Sequence, residues 1–351
     1  MENYREYLLR IKGGFNSPPA RENMPKTKVI PTHMLAYHFG SGFPILTGKK
    51  MPFYSILAEL ICFMQGTTDV RAFESLGCGV WWDNAYKWNI KDKGINMPMD
   101  EYKEVGMHYY NPKAVNFTYV DHSVLGKISY DLGRIYSAQW TEWTNGLGSS
   151  INQLKNLIKR LEDKPYERYA VMTAWNPSEM NSRETSQPNC HVYYQATCVE
   201  NEYSIEDITD HLNAFLSERV VSKLLEGITN KTPLMFGHLT QRSCDAFLGV
   251  PFNITSYALL TIILGIICDI VPMGFVWIGV NNHIYAGHEE AVEKYLNADI
   301  YPLPKLDIDI DSMDSLLKID NINSKEELRS IFRLVGYQSN NKISAKLSVG
   351  L

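Results

Sequence analysis

Apolar positions along the chain recur with two different periods. FYSILAELICFMQG, residues 53–66, repeats them at helical spacing and ends on a glycine suited to a left-handed cap, which predicts a helix. SINQLKNLIKRLED, residues 150–163, predicts an amphipathic helix with Ser149 or Ser150 as its N-cap. ERYAVMTAW (167–175) and HVYYQATCV (191–199) are rich in β-branched and aromatic residues and predict strands. HVYYQATCV is expected to pair with PLMFGHLTQR (233–242), the two being separated by a helical stretch over 204–226 that ends at Gly227. The alternating DIDID of 307–311 predicts an exposed strand. YALLTIILGIIC, residues 257–268, is uniformly apolar, but it falls short of the ~20 residues that span a bilayer. A buried core helix is the expectation, with no membrane partner.

No internal repeat or low-complexity tract divides the chain. Residues 90–130, with scattered Tyr, Asn, Pro and Lys, and residues 200–235 read as two insertions on one domain spanning 1–351.

Composition narrows the classes. The 351 residues are 45% hydrophobic and 21% charged, an ordinary globular balance that supports a sizeable core. A formal charge of −5 provides no global basic field, so nucleic acid is not an expected partner. The six cysteines form no CxxC pair, which argues against a zinc site or disulfide framework; no metal is expected. The charged N-terminus MENYREYLLRIKGG has no apolar signal core, and with reduced thiols this predicts a cytoplasmic protein.

Candidate chemistry begins at QPNCH, residues 187–191, where Cys190 stands beside His191. A cysteine in apolar surroundings is usually an inert small hydrophobe, and becomes a nucleophile only where a nearby cation favours its thiolate. Arg242 in QRSCD is a candidate cation, although spacing alone does not bring it close. A cysteine hydrolase built on Cys190 and His191 is disfavoured, because neighbours on a strand point to opposite faces.

Residues 241–260, QRSCDAFLGVPFNITSYALL, closely resemble the signature of the thymidylate synthase family. GFPILTGKK (42–50), AELICFMQGTTDVR (58–71), DLGRIYSAQW (131–140), TAWNPSE (173–179), NCH (189–191) and NNHIYAGH (281–288) fall in the family's order, followed by YPLPKL (301–306) and VGY (335–337). The resemblance covers most of the chain outside the two insertions. It implies an α/β (α+β) fold with a large mixed β-sheet flanked by helices, a homodimer, and one-carbon transfer from 5,10-methylenetetrahydrofolate to carbon 5 of dUMP. Carbon 5 of uracil is a poor nucleophile until something adds at carbon 6, and a thiolate does this well.

By correspondence Cys190 is that thiolate, and Arg242 lowers its pKa while touching the substrate phosphate. Glu59 matches a carboxylate acting through water on the O4 side of the ring; its structural alternative is a buried helix acid paired with a cation. Tyr136 matches the tyrosine whose water network helps remove the carbon 5 proton. Gln241, Arg242 and Ser243 match substrate contacts, and His283 and Tyr285 match the pair on the ribose 3′-hydroxyl. Asp245, with a catalytic role as well, joins Lys49, Trp81, Leu248, Gly249, Phe252 and the C-terminal tail as expected folate contacts. The Asn253 amide suits O4 and N3–H of uracil, where cytidylate hydroxymethylases of this superfamily carry an aspartate. Retention of Cys190, Glu59, Arg242, Asn253 and Tyr285 together argues against a noncatalytic binding protein.

The chain also departs from the family. In place of P-x-S-R-R, whose arginines reach the neighbouring subunit's phosphate, it reads Pro165, Tyr166, Glu167, Arg168, Tyr169, so only Arg168 is retained. The R-x-G-T-G-T phosphate loop is missing, and Arg21 is a candidate substitute. Gln187 replaces the leucine of L-P-P-C-H that helps keep the reactive methylene dry, Asn84 in VWWDNA replaces a tryptophan, and the tail ends KLSVGL rather than in the proline-containing family sequence. These three changes imply that water, not hydride, quenches the intermediate. The expected product is then 5-hydroxymethyl-dUMP, as in phage nucleotide hydroxymethylases acting in a host cytoplasm. The alternative is an ordinary thymidylate synthase with drift at all three positions.

Overall fold

The computed structural model describes residues 2–22, 24–110, 128–144, 147–179, 184–312 and 315–345. Part of the first predicted insertion (111–127) and the end of the tail (346–351) lie outside the described residues.

A seven-stranded mixed sheet organises the molecule. Its order is Phe15–Ser17, Thr27–His38, Val271–Tyr285, Leu234–Gln241, His191–Val199, Val171–Thr173, with Cys244–Asp245 also pairing onto Val271–Tyr285. The Leu234–Gln241 and Val271–Tyr285 strands run parallel to each other, and the remaining neighbours along the main path are antiparallel. HVYYQATCV pairs with the 234–241 strand as expected, with a register shift between His191 and Tyr193. Such a bulge turns a strand end and re-aims its side chains.

One sheet face packs under the helix Gly249–Ile267. This helix is apolar on every side, as a helix surrounded by protein must be. It is long and apolar enough to cross a membrane, yet 83% of its most apolar window is buried inside the protein. Its Thr261 bonds Tyr194 at 3.0 Å, and Gly237 makes room for this contact, since a Cβ there would lie 2.1 Å from Thr261 Oγ1. The opposite sheet face, carrying Met34, Val280 and Val171, is exposed.

The Phe53–Gln65 helix ends as predicted, at Gly66 with φ +78°. Three expectations need correction. The helix predicted from 150 begins at Gln153, and its cap is Asn152, whose side chain accepts from Lys155 N at 2.8 Å; Ser150–Ile151 instead pairs with Trp143–Thr144. The 204–226 stretch is two helices, Ile205–Phe215 and Glu218–Leu224. The break is at Leu216, which is extended, fully buried and bridged to Leu306, while Ser217 N donates to Leu306 O at 2.8 Å. DIDID is not an exposed strand: the strand is Lys305–Ile308, with Leu306 and Ile308 buried and Asp307 bonded to Ser217, Arg219 and Arg333.

Candidate active site

Cys190 stands immediately before the His191–Val199 strand, half-buried on the wall of a cavity of about 490 Å³. That volume suits a small-molecule site. Two backbone contacts fix the loop: Cys190 N donates to the Tyr136 hydroxyl at 2.8 Å, and Arg242 N donates to Cys190 O at 2.9 Å. The Arg242 side chain is clamped beside it, Nε donating to Asn189 O at 2.8 Å and Nη2 to Pro188 O at 3.0 Å, with its guanidinium over the Trp175 ring. The fold thus joins the cysteine and the arginine that spacing alone left apart.

Burial pushes the Cys190 thiol above its ordinary pKa. The Arg242 charge opposes this, followed by side-chain hydrogen bonds from Gln187 and Tyr136 and the charge of Arg21. A cation held close to a sulfur is what a nucleophilic thiolate needs.

His191 faces away from this sulfur. Its Nδ1 lies 3.1 Å from the Tyr257 hydroxyl on the core helix, and its ring stacks on Tyr136. Burial drives its pKa down to about 3, with a hydrogen bond to Asn253 acting the other way, so the ring is neutral. Asn253 itself is buried in the core helix.

Glu59 points from the Phe53–Gln65 helix to Trp81, whose indole Nε1 donates to Oε1 at 2.8 Å. Its partner is an indole, not the cation of the structural alternative. Burial pushes its carboxyl up to about 7, the indole hydrogen bond only partly opposing. Trp81 and Tyr136 in turn pack around Phe63.

At the N-terminus of the core helix, Asp245 Oδ1 accepts from the backbone N–H groups of Phe247 and Leu248, at 3.1 and 3.2 Å. Lys49 donates to Phe247 O at 2.5 Å and sits over the Phe247 ring. Burial lowers its pKa to about 8, and the Asp245 charge partly restores it. Leu248, Gly249 and Phe252 belong to the same end of this helix.

The cavity gathers Arg21, Arg242, Ser243, His283 and Tyr285 with Cys190. Gln241 stands behind this lining: its Oε1 accepts from Trp277 Nε1 at 2.9 Å and its Nε2 donates to Ser243 O at 3.0 Å, which braces Ser243 from the core. Arg168 is exposed on the turn after the Gln153–Asp163 helix and is not part of the lining.

Gln187 lines the cavity beside Cys190, and Asn84 faces it, Nδ2 donating to Gln187 Oε1 at 2.7 Å. Two positions noted separately as departures from the family therefore touch. Lys87, which sequence reasoning did not single out, also lines the cavity, at the start of a π-helical turn, Lys87–Lys91. Helical period offered no signal for it, because a π turn shifts side chains out of the 3.6-residue register.

The profile of the thymidylate synthase family matches residues 2–349. The chain belongs to the thymidylate synthase family. It is similar to the thymidylate synthase of Staphylococcus haemolyticus, 28% identical over 328 residues that cover 90% of this chain and 89% of that protein. Its mixed sheet with flanking helices is consistent with the family's fold.

Proposed function

We propose that this protein adds a one-carbon unit from methylenetetrahydrofolate to carbon 5 of dUMP and lets water complete the reaction, releasing 5-hydroxymethyl-dUMP and tetrahydrofolate. The observation that carries the second half is the Asn84–Gln187 amide pair on the cavity wall next to Cys190. Where a synthase needs apolar cover, this wall offers hydrogen-bonding groups able to hold a water.

Each residue then has a role that its chemistry supports. The Cys190 thiolate adds to carbon 6, with the clamped Arg242 stabilising its charge. Arg242, Ser243 and Arg21 take the phosphate, and His283 and Tyr285 the ribose hydroxyl. Glu59, titrating near neutrality, relays a proton toward O4. Tyr136, bonded to the Cys190 backbone, organises water for loss of the carbon 5 proton. Asn253 reads the uracil edge. Lys49, Trp81, Asp245, Leu248, Gly249 and Phe252 form the folate side, where the acid, the cation and the indole suit a pterin and its carboxylates. Water adds to the exocyclic methylene, and Cys190 leaves from carbon 6. The sum, dUMP with methylenetetrahydrofolate and water giving hydroxymethyl-dUMP and tetrahydrofolate, needs no reductant.

The likeness to the staphylococcal enzyme favours a second reading, methyl transfer with hydride from the folate, giving thymidylate and dihydrofolate. Gln187→Leu distinguishes the two. It should raise the thymidylate fraction of the product severalfold as the wall dries; an unchanged product ratio removes Gln187 from the account.

A further inference from the structure

The His283 ring on the cavity wall is held by its own strand: Nδ1 lies 2.9 Å from the backbone O of Asn281, two residues earlier. A carbonyl only accepts, so this nitrogen carries the ring's proton. Burial lowers the His283 pKa, with the Asn281 hydrogen bond and the Asp245 charge opposing, so the ring is neutral and Nε2 is left as an acceptor. Asn281 meets the ring from an unusual backbone state, φ +54°, a left-handed value that asparagine tolerates better than most residues. Across from it stands Pro31, at the one position where the pairing of Thr27–His38 with Val271–Tyr285 skips a residue pair. Proline has no N–H, so Pro31 makes no claim on the Asn281 carbonyl. The buried Asn282 fastens the same turn to the core, Nδ2 donating to Gly279 O at 2.8 Å and Oδ1 accepting from the Tyr7 hydroxyl at 3.0 Å.

We propose that Asn281 is a positioning residue: its left-handed backbone carbonyl fixes the proton of His283 on Nδ1, so that Nε2 accepts and the site selects a ligand hydroxyl that donates. The Tyr285 ring stands edge-on to His283, 4.8 Å between centroids, and burial raises its pKa to about 12, so its hydroxyl keeps a proton to give. A ribose 3′-hydroxyl satisfies both, donating to His283 and accepting from Tyr285. A group that only accepts meets an acceptor at His283 and is rejected. The selectivity rests on the proposed nucleotide substrate and is independent of which product forms.

Two measurements test this. The first is NMR of the ligand-free enzyme labelled with 15N-histidine, the His283 signals being assigned by their absence in His283→Gln. The proton should sit on Nδ1 in the native chain and in Asn281→Gly, which keeps the left-handed turn, and should leave it in Asn281→Val, which a left-handed φ strains. A proton on Nε2 in the native chain, or an unchanged tautomer in Asn281→Val, would overturn the proposal. The second is calorimetric binding of dUMP against its 3′-amino, 3′-fluoro and 3′-deoxy analogues. The amino analogue, which donates, should bind comparably to dUMP, and the other two about tenfold more weakly. Asn281→Val should narrow the gap between dUMP and the fluoro analogue, whereas a merely structural defect would weaken all four alike. A fluoro analogue as tight as dUMP would show that His283 donates and overturn the proposal. Failure of dUMP itself to bind would instead sink the nucleotide reading and the selectivity with it, while the NMR arm still decides what Asn281 does to His283.

Discussion

Among the described residues Glu59 bonds an indole and pairs with no cation, so burial leaves its carboxyl titrating at about 7 instead of in the usual carboxylate range. A carboxyl with a raised folded-state pKa stabilises the fold fully below its unfolded value, near 4.5, and that contribution is lost as pH rises through about 7. The difference corresponds to roughly 3 kcal/mol. Glu59→Gln should therefore gain stability relative to the native chain by that order between pH 5 and pH 8, measured by urea unfolding. An equal stability difference at both pH values would show that Glu59 is not buried uncharged. The same substitution should lower turnover by about 10²–10⁴-fold if Glu59 relays a proton. At this scale the sequence singled out Cys190, Arg242 and Tyr136 one by one, and the structure brings them together. It did not convey contacts. Nothing in VWWDNA or QPNCH indicates that Asn84 meets Gln187, because the fold alone closes a 103-residue separation.

Among the elements, legibility followed locality. The Phe53–Gln65 helix was readable because both its period and its glycine cap lie within one short window. The break at Leu216 was not, because its cause is distant: the backbone leaves the helix to meet Leu306. The DIDID strand misled for the same reason. Alternation predicted an exposed Asp307, whereas Ser217, Arg219 and Arg333 surround it; burial raises its carboxyl pKa, and these hydrogen bonds outweigh that and hold it below the ordinary value. This carboxylate ties the Glu218–Leu224 helix to the strands near the C-terminus. Asp307→Ala should cost about 1–3 kcal/mol in urea unfolding, discounted because both arginines are half exposed. Asp311→Ala, at an 82% exposed side chain, should stay within about 0.5 kcal/mol. Equal effects at the two positions would deny Asp307 its anchoring role.

For the whole molecule, the sequence announced the sheet's strands at 171–173, 191–199 and 234–241 but not its two longest, Thr27–His38 and Val271–Tyr285, while the sheet's open face follows from which side the core helix covers. Met34, Val280 and Val171 on that face give a second copy of the chain an apolar surface to cover. Dimerisation is also the family's habit, and we propose it here, with the exposed Arg168 reaching the neighbouring phosphate. Light scattering should give twice the 40.1 kDa chain mass, and Met34→Glu with Val280→Glu should lower it toward one chain. A monomer at micromolar concentration with full activity would contradict the shared site. The central claim, however, concerns the fate of the methylene beside Cys190. Its most direct measurement is mass spectrometry of the nucleotide formed from dUMP and methylenetetrahydrofolate, together with dihydrofolate absorbance. The account predicts 5-hydroxymethyl-dUMP with no dihydrofolate; thymidylate with stoichiometric dihydrofolate would contradict it.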